Sequence, residues 1–181
     1  MEDERIIVRI AQSSDCIYAQ QISEETERSA IARGSGISKR SIASILDKMN
    51  NGRAVVALSP DGKWAGFSYF DVWDNGKFVS NSGLIVSPDF RQHGVAHQIK
   101  EMVFNLCREA YPKAQVFSIT SGIAIMKMNT HLGFEPVTYA EIAQEDAFWQ
   151  GCKSCVNYNI LNSKQGRNCL CTAMLYTPSE N

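Results

Sequence analysis

The stretch from Phe78 to Ala96, FVSNSGLIVSPDFRQHGVA, limits the possible folds more than any other part of the chain. Val79 to Val86 reads as a buried strand. Pro88 has no amide proton for a ladder, so the strand is expected to stop or splay there. From Val95 the apolar residues Val95, Ile99, Met102, Val103 and Leu106 follow helical spacing. A strand, a tight turn through Gly94 and a helix start direct several backbone amides one way, at the positive end of a helix dipole. Such a turn suits a phosphate.

The remaining segments alternate. Arg5 to Ile10 is a β-branched strand, and Ser13, Ser14 and Asp15 cap a helix running to about Ala32. A second helix spans roughly Lys39 to Met49. Strands at Arg53 to Leu58 and Lys63 to Trp73 flank the turn Ser59 to Gly62. After the long helix, which closes near Tyr111, come a strand at Gln115 to Thr120 and a short helix at Ile123 to Leu132. Strands at Val156 to Leu161 and Leu170 to Tyr176 close the chain. The helix between the Phe78 and Gln115 strands is long enough to be a crossover, which makes those strands parallel. The expected architecture is a mixed α/β (α+β) sheet with helices on both faces.

At 181 residues no Gly/Ser-rich or Pro-rich linker divides the chain, so one domain over 1–181 is expected. Eighteen basic residues against nineteen acidic ones give no field for nucleic acid. No apolar run approaches the ~20 residues of a membrane span, and the charged start MEDERIIVRI lacks a signal core. The expectation is a cytoplasmic protein with reduced cysteines. Oligomeric state is left open, a homodimer included.

The element order, together with Ile85-Val86-Ser87-Pro88-Asp89-Phe90-Arg91-Gln92-His93-Gly94-Val95-Ala96, resembles the GNAT acyltransferase superfamily. Arg91, Gly94 and Ala96 fit its acyl-CoA signature, and Leu132-Gly133-Phe134 follows at the end of the short helix. The resemblance covers about residues 5–140 and implies a central mixed, mostly antiparallel sheet with acyl-CoA as cosubstrate. The amides of Gln92, His93, Gly94, Val95 and Ala96 would hold the pyrophosphate, with Arg91 in the signature. His93 and His97 read as solvated neighbours of the phosphates.

The reaction so implied is attack of a neutral amine on a thioester. A base, often through water, must take a proton from the amine, and the carbonyl oxygen needs a donor. The backbone of Leu84, Ile85 and Val86 would supply that donor. Ser82 or Asn81 would position the water, with Glu24, Glu25 and Glu27 as alternative bases. Where many family members carry a tyrosine as the acid for the leaving thiolate, this chain has Asn129, which can bond the cofactor but has no proton to give. Either the thiolate, a modest base, leaves unassisted or another group substitutes, with Tyr158, Ser121 and His131 as candidates.

The connection from Arg28 to Arg40 carries cations between flexible glycines and reads either as a solvated basic loop or as a carboxylate site, with Arg28 and Arg33 as substrate ligands. Arg33-Gly34-Ser35-Gly36-Ile37, Asn81-Ser82-Gly83-Leu84-Ile85-Val86, Phe148-Trp149-Gln150-Gly151-Cys152 and Cys169-Leu170-Cys171-Thr172 resemble a compact branch of single-domain N-acylglutamate synthases of arginine biosynthesis. That implies acetyl- or succinyl-CoA as donor and the α-amino group of glutamate as acceptor. Other small amines, a polyamine or an aminoglycoside, and a non-catalytic acyl-CoA sensor are the alternatives.

Cys152-x-x-Cys155 and Cys169-x-Cys171 have the spacing of a zinc ribbon. A hairpin of the last two strands, about residues 150–177, would hold Cys155 ~16 Å from Cys171 at ~3.3 Å per residue. The favoured expectation is therefore buried thiols, with zinc as the alternative.

Overall fold

The structure is a computed structural model and describes residues 5–34 and 39–180. Strands β1 (Ile7–Ile10), β2 (Ala54–Leu58), β3 (Trp64–Trp73) and β4 (Phe78–Val86) form an antiparallel meander. β4 then pairs in parallel with β5 (Gln115–Thr120). β7 (Thr172–Tyr176) lies antiparallel between β5 and the short β6 (Glu135–Val137). Among the described residues the sheet order is β1-β2-β3-β4-β5-β7-β6, the mixed, mostly antiparallel sheet expected.

β2 shows why the order closes. Ala54, Val55, Val56 and Ala57 are all buried, so both faces of this strand are covered and its sequence is apolar without alternation. On one face Val55 and Ala57 meet helix α3 (Val95–Ala110) through Val95, Ile99 and Val103. On the other, Ala54 and Val56 join Ile22 of α1 (Ala19–Arg33) and Ile45 and Met49 of α2 (Ile42–Asn50). Each such fully buried aliphatic side chain contributes about 1.5–3 kcal/mol.

The entry to α1 differs from the expected single helix. Ser13–Tyr18 is a 3-10 turn, because the Asp15 carboxylate accepts from the Gln12 amide at 2.7 Å and from Arg9 at 2.7 and 2.9 Å. Burial alone would raise the Asp15 pKa; these hydrogen bonds outweigh it and hold the carboxyl below its ordinary value. A depressed carboxyl pKa stabilises the fold above the unfolded value of about 3.9, and the contribution fades as pH falls through the folded value. Asp15→Asn is expected to cost roughly 2 kcal/mol at pH 7 and to flatten the loss of stability below about pH 4. Urea unfolding of both proteins at several pH values measures this; parallel curves would rule out the linkage.

The end of the chain departs most from expectation. Val156 to Leu161 is not a strand: helix α6 (Tyr158–Ser163) follows a turn, and α5 (Asp146–Gln150) precedes it. The alternating Val156, Tyr158 and Ile160 suggest a strand, but Val156 is exposed while Leu161 packs with Tyr139 and Ile142, a burial set by helical spacing. No hairpin forms between this segment and β7, which pairs with β5 and β6 instead. Phe148 of α5 stacks edge-on against Trp73 and Phe117 at 5.4 and 4.9 Å. The segment from Tyr139 to Cys171 thus caps the sheet beside β5.

Candidate active site

β4 and β5 pair only from Phe78↔Gln115 to Ser80↔Phe117. Beyond Ser80 they diverge, so the splay opens several residues before Pro88, where it was expected. The cause lies in β4. Its register against β3 slips between Phe67↔Ile85 and Tyr69↔Ser82, and Gly83 sits there at φ +67°. A bulge of this kind bends the strand away from its neighbour. The backbone groups that β4 presents toward β5 past Ser80 therefore face a cleft and not a ladder.

That cleft belongs to a cavity of about 940 Å³ bounded by β3, β4, β5, Arg33 at the end of α1, Lys39 to Ser41 before α2 and the segment capping β5. Ser80, Asn81, Ser82, Gly83 and Leu84 form its β4 wall. Ser82 Oγ lies 3.4 Å from Ser80 Oγ, which accepts from the Trp73 indole at 2.8 Å. Asn81 is 6 % exposed; its Oδ1 accepts from the Cys107 thiol at 3.5 Å and its Nδ2 has no partner. Ile85 and Val86 lie beyond the cavity wall, with Ile85 packed toward α1 and α2.

Arg33, Lys39 and Arg40 also bound the cavity, with the Arg40 guanidinium 5.7 Å from the centre of the Tyr69 ring. Residues 35–38 of the α1–α2 connection, including Ser35, Gly36 and Ile37 of the sequence motif, lie outside the described residues. Asp71 of β3, an acid that also bounds the cavity, is held by Lys48 at 2.7 Å and lies 3.8 Å from Arg53. Burial alone would lower the Lys48 pKa, but Asp71 outweighs it and holds the ammonium above its ordinary value. Arg28 is turned elsewhere: it pairs with Glu25 at 2.8 Å and does not bound the cavity.

Glu25 also takes Arg91, at 2.9 Å, while Arg91 Nε donates to the Val86 carbonyl at 3.2 Å. The Arg91 side chain thus ties α1 to the turn and leaves the turn's amides to face outward. Glu25, buried between two guanidiniums, is unsuited to be a base. Glu24 accepts from Gln20, and Glu27 lies 3.6 Å from Lys39.

The turn itself takes the conformation its sequence suggests. Gln92 and Gly94 have φ of +65° and +76°. A Cβ on Gly94 would meet nothing within 4 Å, so the backbone is open to a ligand there. Among the described residues the amides of Gln92, His93, Gly94, Val95, Ala96 and His97 find no acceptor. The His93 ring bonds the Arg91 carbonyl at 2.7 Å. Successive free amides at a helix start form an anion cradle.

Asn129 is fully buried, with Nδ2 3.7 Å from Met174 Sδ and Oδ1 unpartnered, and it does not bound the cavity. Ser121 and Tyr158 do bound it, and His131 does not.

Cys152, Cys155, Cys169 and Cys171 all bound the cavity as free thiols, because the hairpin that would have separated them does not form. The Asn157 amide donates to Cys155 Sγ at 3.4 Å. Burial first, and the neighbouring sulfurs second, push the Cys171 thiol up to about 12. Among the described residues no group of three or more His, Cys, Asp or Glu side chains is placed to hold a metal ion.

No family model and no curated protein matches the sequence. Solved structures do. Rv2747 from Mycobacterium tuberculosis, in complex with CoA, aligns at TM-score 0.65 and 18% identity over 96% of this chain and 99% of its own. A GNAT superfamily phosphinothricin acetyltransferase from Sinorhizobium meliloti, in complex with acetyl-CoA, aligns at TM-score 0.64 and 18% identity over 97% and 90%. The chain has the GNAT fold. An N-acetylglutamate synthase from Neisseria gonorrhoeae, complexed with coenzyme A and N-acetyl-glutamate, has the same fold over 99% of this chain at TM-score 0.67 and 13% identity. This chain spans 36% of that protein. Among the described residues no helix is long and apolar enough to cross a membrane.

Proposed function

We propose that the protein is an acyl-CoA N-acyltransferase acting on the α-amino group of an acidic amino acid, glutamate being the first choice. The observation that carries this is one cavity that opens into the β4–β5 splay and is also bounded by Arg33, Lys39 and Arg40. A phosphate cradle at Gln92 to Ala96 and a basic acceptor chamber suit a CoA thioester and a carboxylate-bearing amine. Asp71, already held by Lys48, leaves the chamber little attraction for a polyamine. The likeness to an N-acetylglutamate synthase complexed with N-acetyl-glutamate supports the same reading.

In this account the cradle amides hold the pyrophosphate and the acyl-CoA arm runs along β4 to the splay. The backbone of β4 at Leu84, the one member of the expected Leu84 to Val86 donor segment that bounds the cavity, donates to the thioester oxygen as it gains charge. A water held by Ser82 and Asn81 takes the amine's proton. The amine nitrogen bonds the carbonyl carbon, the carbon–sulfur bond breaks, and an N-acyl amino acid and CoA leave. Acetyl and succinyl groups both remain candidates for the transferred acyl group.

Thiol release from acetyl-CoA and succinyl-CoA over a panel of amino acids and amines tests the acceptor. Turnover with glutamate and not with spermine is expected; the reverse would remove the acidic acceptor. Arg33 has no ion-pair partner among the described residues, so Arg33→Ala should raise the acceptor KM about tenfold and leave that for acyl-CoA nearly unchanged. Equal effects on both would make Arg33 an organiser of the loop. A non-catalytic acyl-CoA sensor is the second reading, favoured by the enclosed Asn129, and CoA binding without thiol release for any acceptor would support it.

A further inference from the structure

Lys100 lies on the sheet-facing side of α3 between Ile99 and Val103, is 4 % exposed, and bounds the same cavity as Asn81. Among the described residues its ammonium has no hydrogen-bond or ion-pair partner; its nearest aromatic neighbour is the Phe134 ring, 5.2 Å from Nζ. A buried ammonium without a counter-charge is costly. Such a group is retained where an anion arrives or a proton is moved. Its neighbours supply neither. On α3 its electrostatic neighbour is the Cys107 thiol, pushed up to about 12 by burial and so neutral; Asn81 of β4, uncharged, bonds that thiol, and the segment after α4 (Ile123–His131) offers the Phe134 ring.

The reaction creates an anion in this cleft. When the thioester breaks, the electron pair of the carbon–sulfur bond goes to sulfur, and a bare thiolate in a cavity of low dielectric lacks compensation. Asn129 has no proton to give it. We propose that the Lys100 ammonium is the acid that protonates the CoA sulfur as the thioester breaks. One proton passes from Nζ to sulfur and CoA leaves as a thiol; the neutral amine of Lys100 then regains a proton from the water that accepted one from the acceptor amine. Burial brings Lys100 down to about 8, close to the ordinary thiol value of about 8.5, so the transfer is nearly balanced in either direction.

This role rests on the N-acyltransferase reading, and one experiment separates the two. Thiolate absorbance of bound CoA is titrated with pH, taking the complex with desulfo-CoA as the blank for the protein's own thiols. In the wild type the bound thiol should ionise at least tenfold more readily than free CoA, with the thiolate paired to the ammonium. In Lys100→Met it should ionise no more readily than free CoA, while CoA affinity changes less than about threefold. Equal ionisation in both proteins would overturn the role of Lys100, and failure of the wild type to bind CoA would overturn the enzyme reading itself. In turnover, Lys100→Met should lower kcat about 100-fold with either donor and remove the fall in rate above about pH 8. Lys100→Arg should keep part of the rate and lose the same limb. Loss of rate with succinyl-CoA alone would show that Lys100 reads the acyl group, against the proposal.

Discussion

Replacing Gly83 with valine is expected to be the most damaging single change in the sheet. A Cβ there would approach Tyr69 Cε1 to 2.5 Å, and the backbone stands at φ +67°. Overpacking a well-filled position costs about 1–3 kcal/mol and the left-handed conformation about 1–2 more. The sum, roughly 3 kcal/mol, should lower Tm by roughly 8 °C in a chain of this size. The catalytic loss should be larger than the stability loss implies. The bulge aims the backbone of Leu84 and its neighbours into the splay, and a misplaced oxyanion donor typically lowers kcat by about 10²–10³. Thermal unfolding and thiol release on the same preparation separate these effects; unchanged kcat in the folded fraction would mean that the bulge has no part in the chemistry.

Gly94→Val should weaken cofactor binding well beyond what its loss of stability implies. Gly94 has φ +76° and open space where a Cβ would go, beside the free amides of the turn. A β-branched side chain costs about 1–2 kcal/mol in that conformation and occupies the approach to the cradle. An affinity loss for CoA of about 10² is expected, equivalent to roughly 2.7 kcal/mol. Gly62→Val is the control. Gly62 also has positive φ, +80°, and open space around it, but it lies in the β2–β3 turn. The two variants should lose similar stability, and only the first should lose CoA. Calorimetric titration with CoA decides; equal affinities would move the phosphate site away from the turn.

The strand, turn and helix from Phe78 to Ala96 are legible because each part has a local cause: a continuous apolar run, a proline without a donor, a glycine at positive φ, and helical spacing from Val95. The position of the splay is not local. It depends on where β5 stops pairing, set by the Gly83 bulge against Tyr69, and a glycine inside a strand pattern was the available sign. The segment from Val156 to Leu161 misleads because its alternation fits a strand, while burial of Leu161 against Tyr139 selects a helix. Arg28 and Arg33 are equivalent as cations in sequence; Glu25, one helical turn from Arg28, claims one and leaves the other at the cavity. Lys100 was detectable as the lysine in the apolar stripe Val95, Ile99, Val103 and Cys107, a charge where helical spacing calls for a core residue.

The central claim is that one open splay brings a CoA thioester and an acceptor amine together. A crystal structure of the protein with CoA tests it most directly. The account predicts the pyrophosphate on the amides of Gln92 to Ala96 and the sulfur within the β4–β5 splay, beside Asn81 and Lys100. CoA bound with its sulfur outside that splay, or with its phosphates away from the turn, would contradict it.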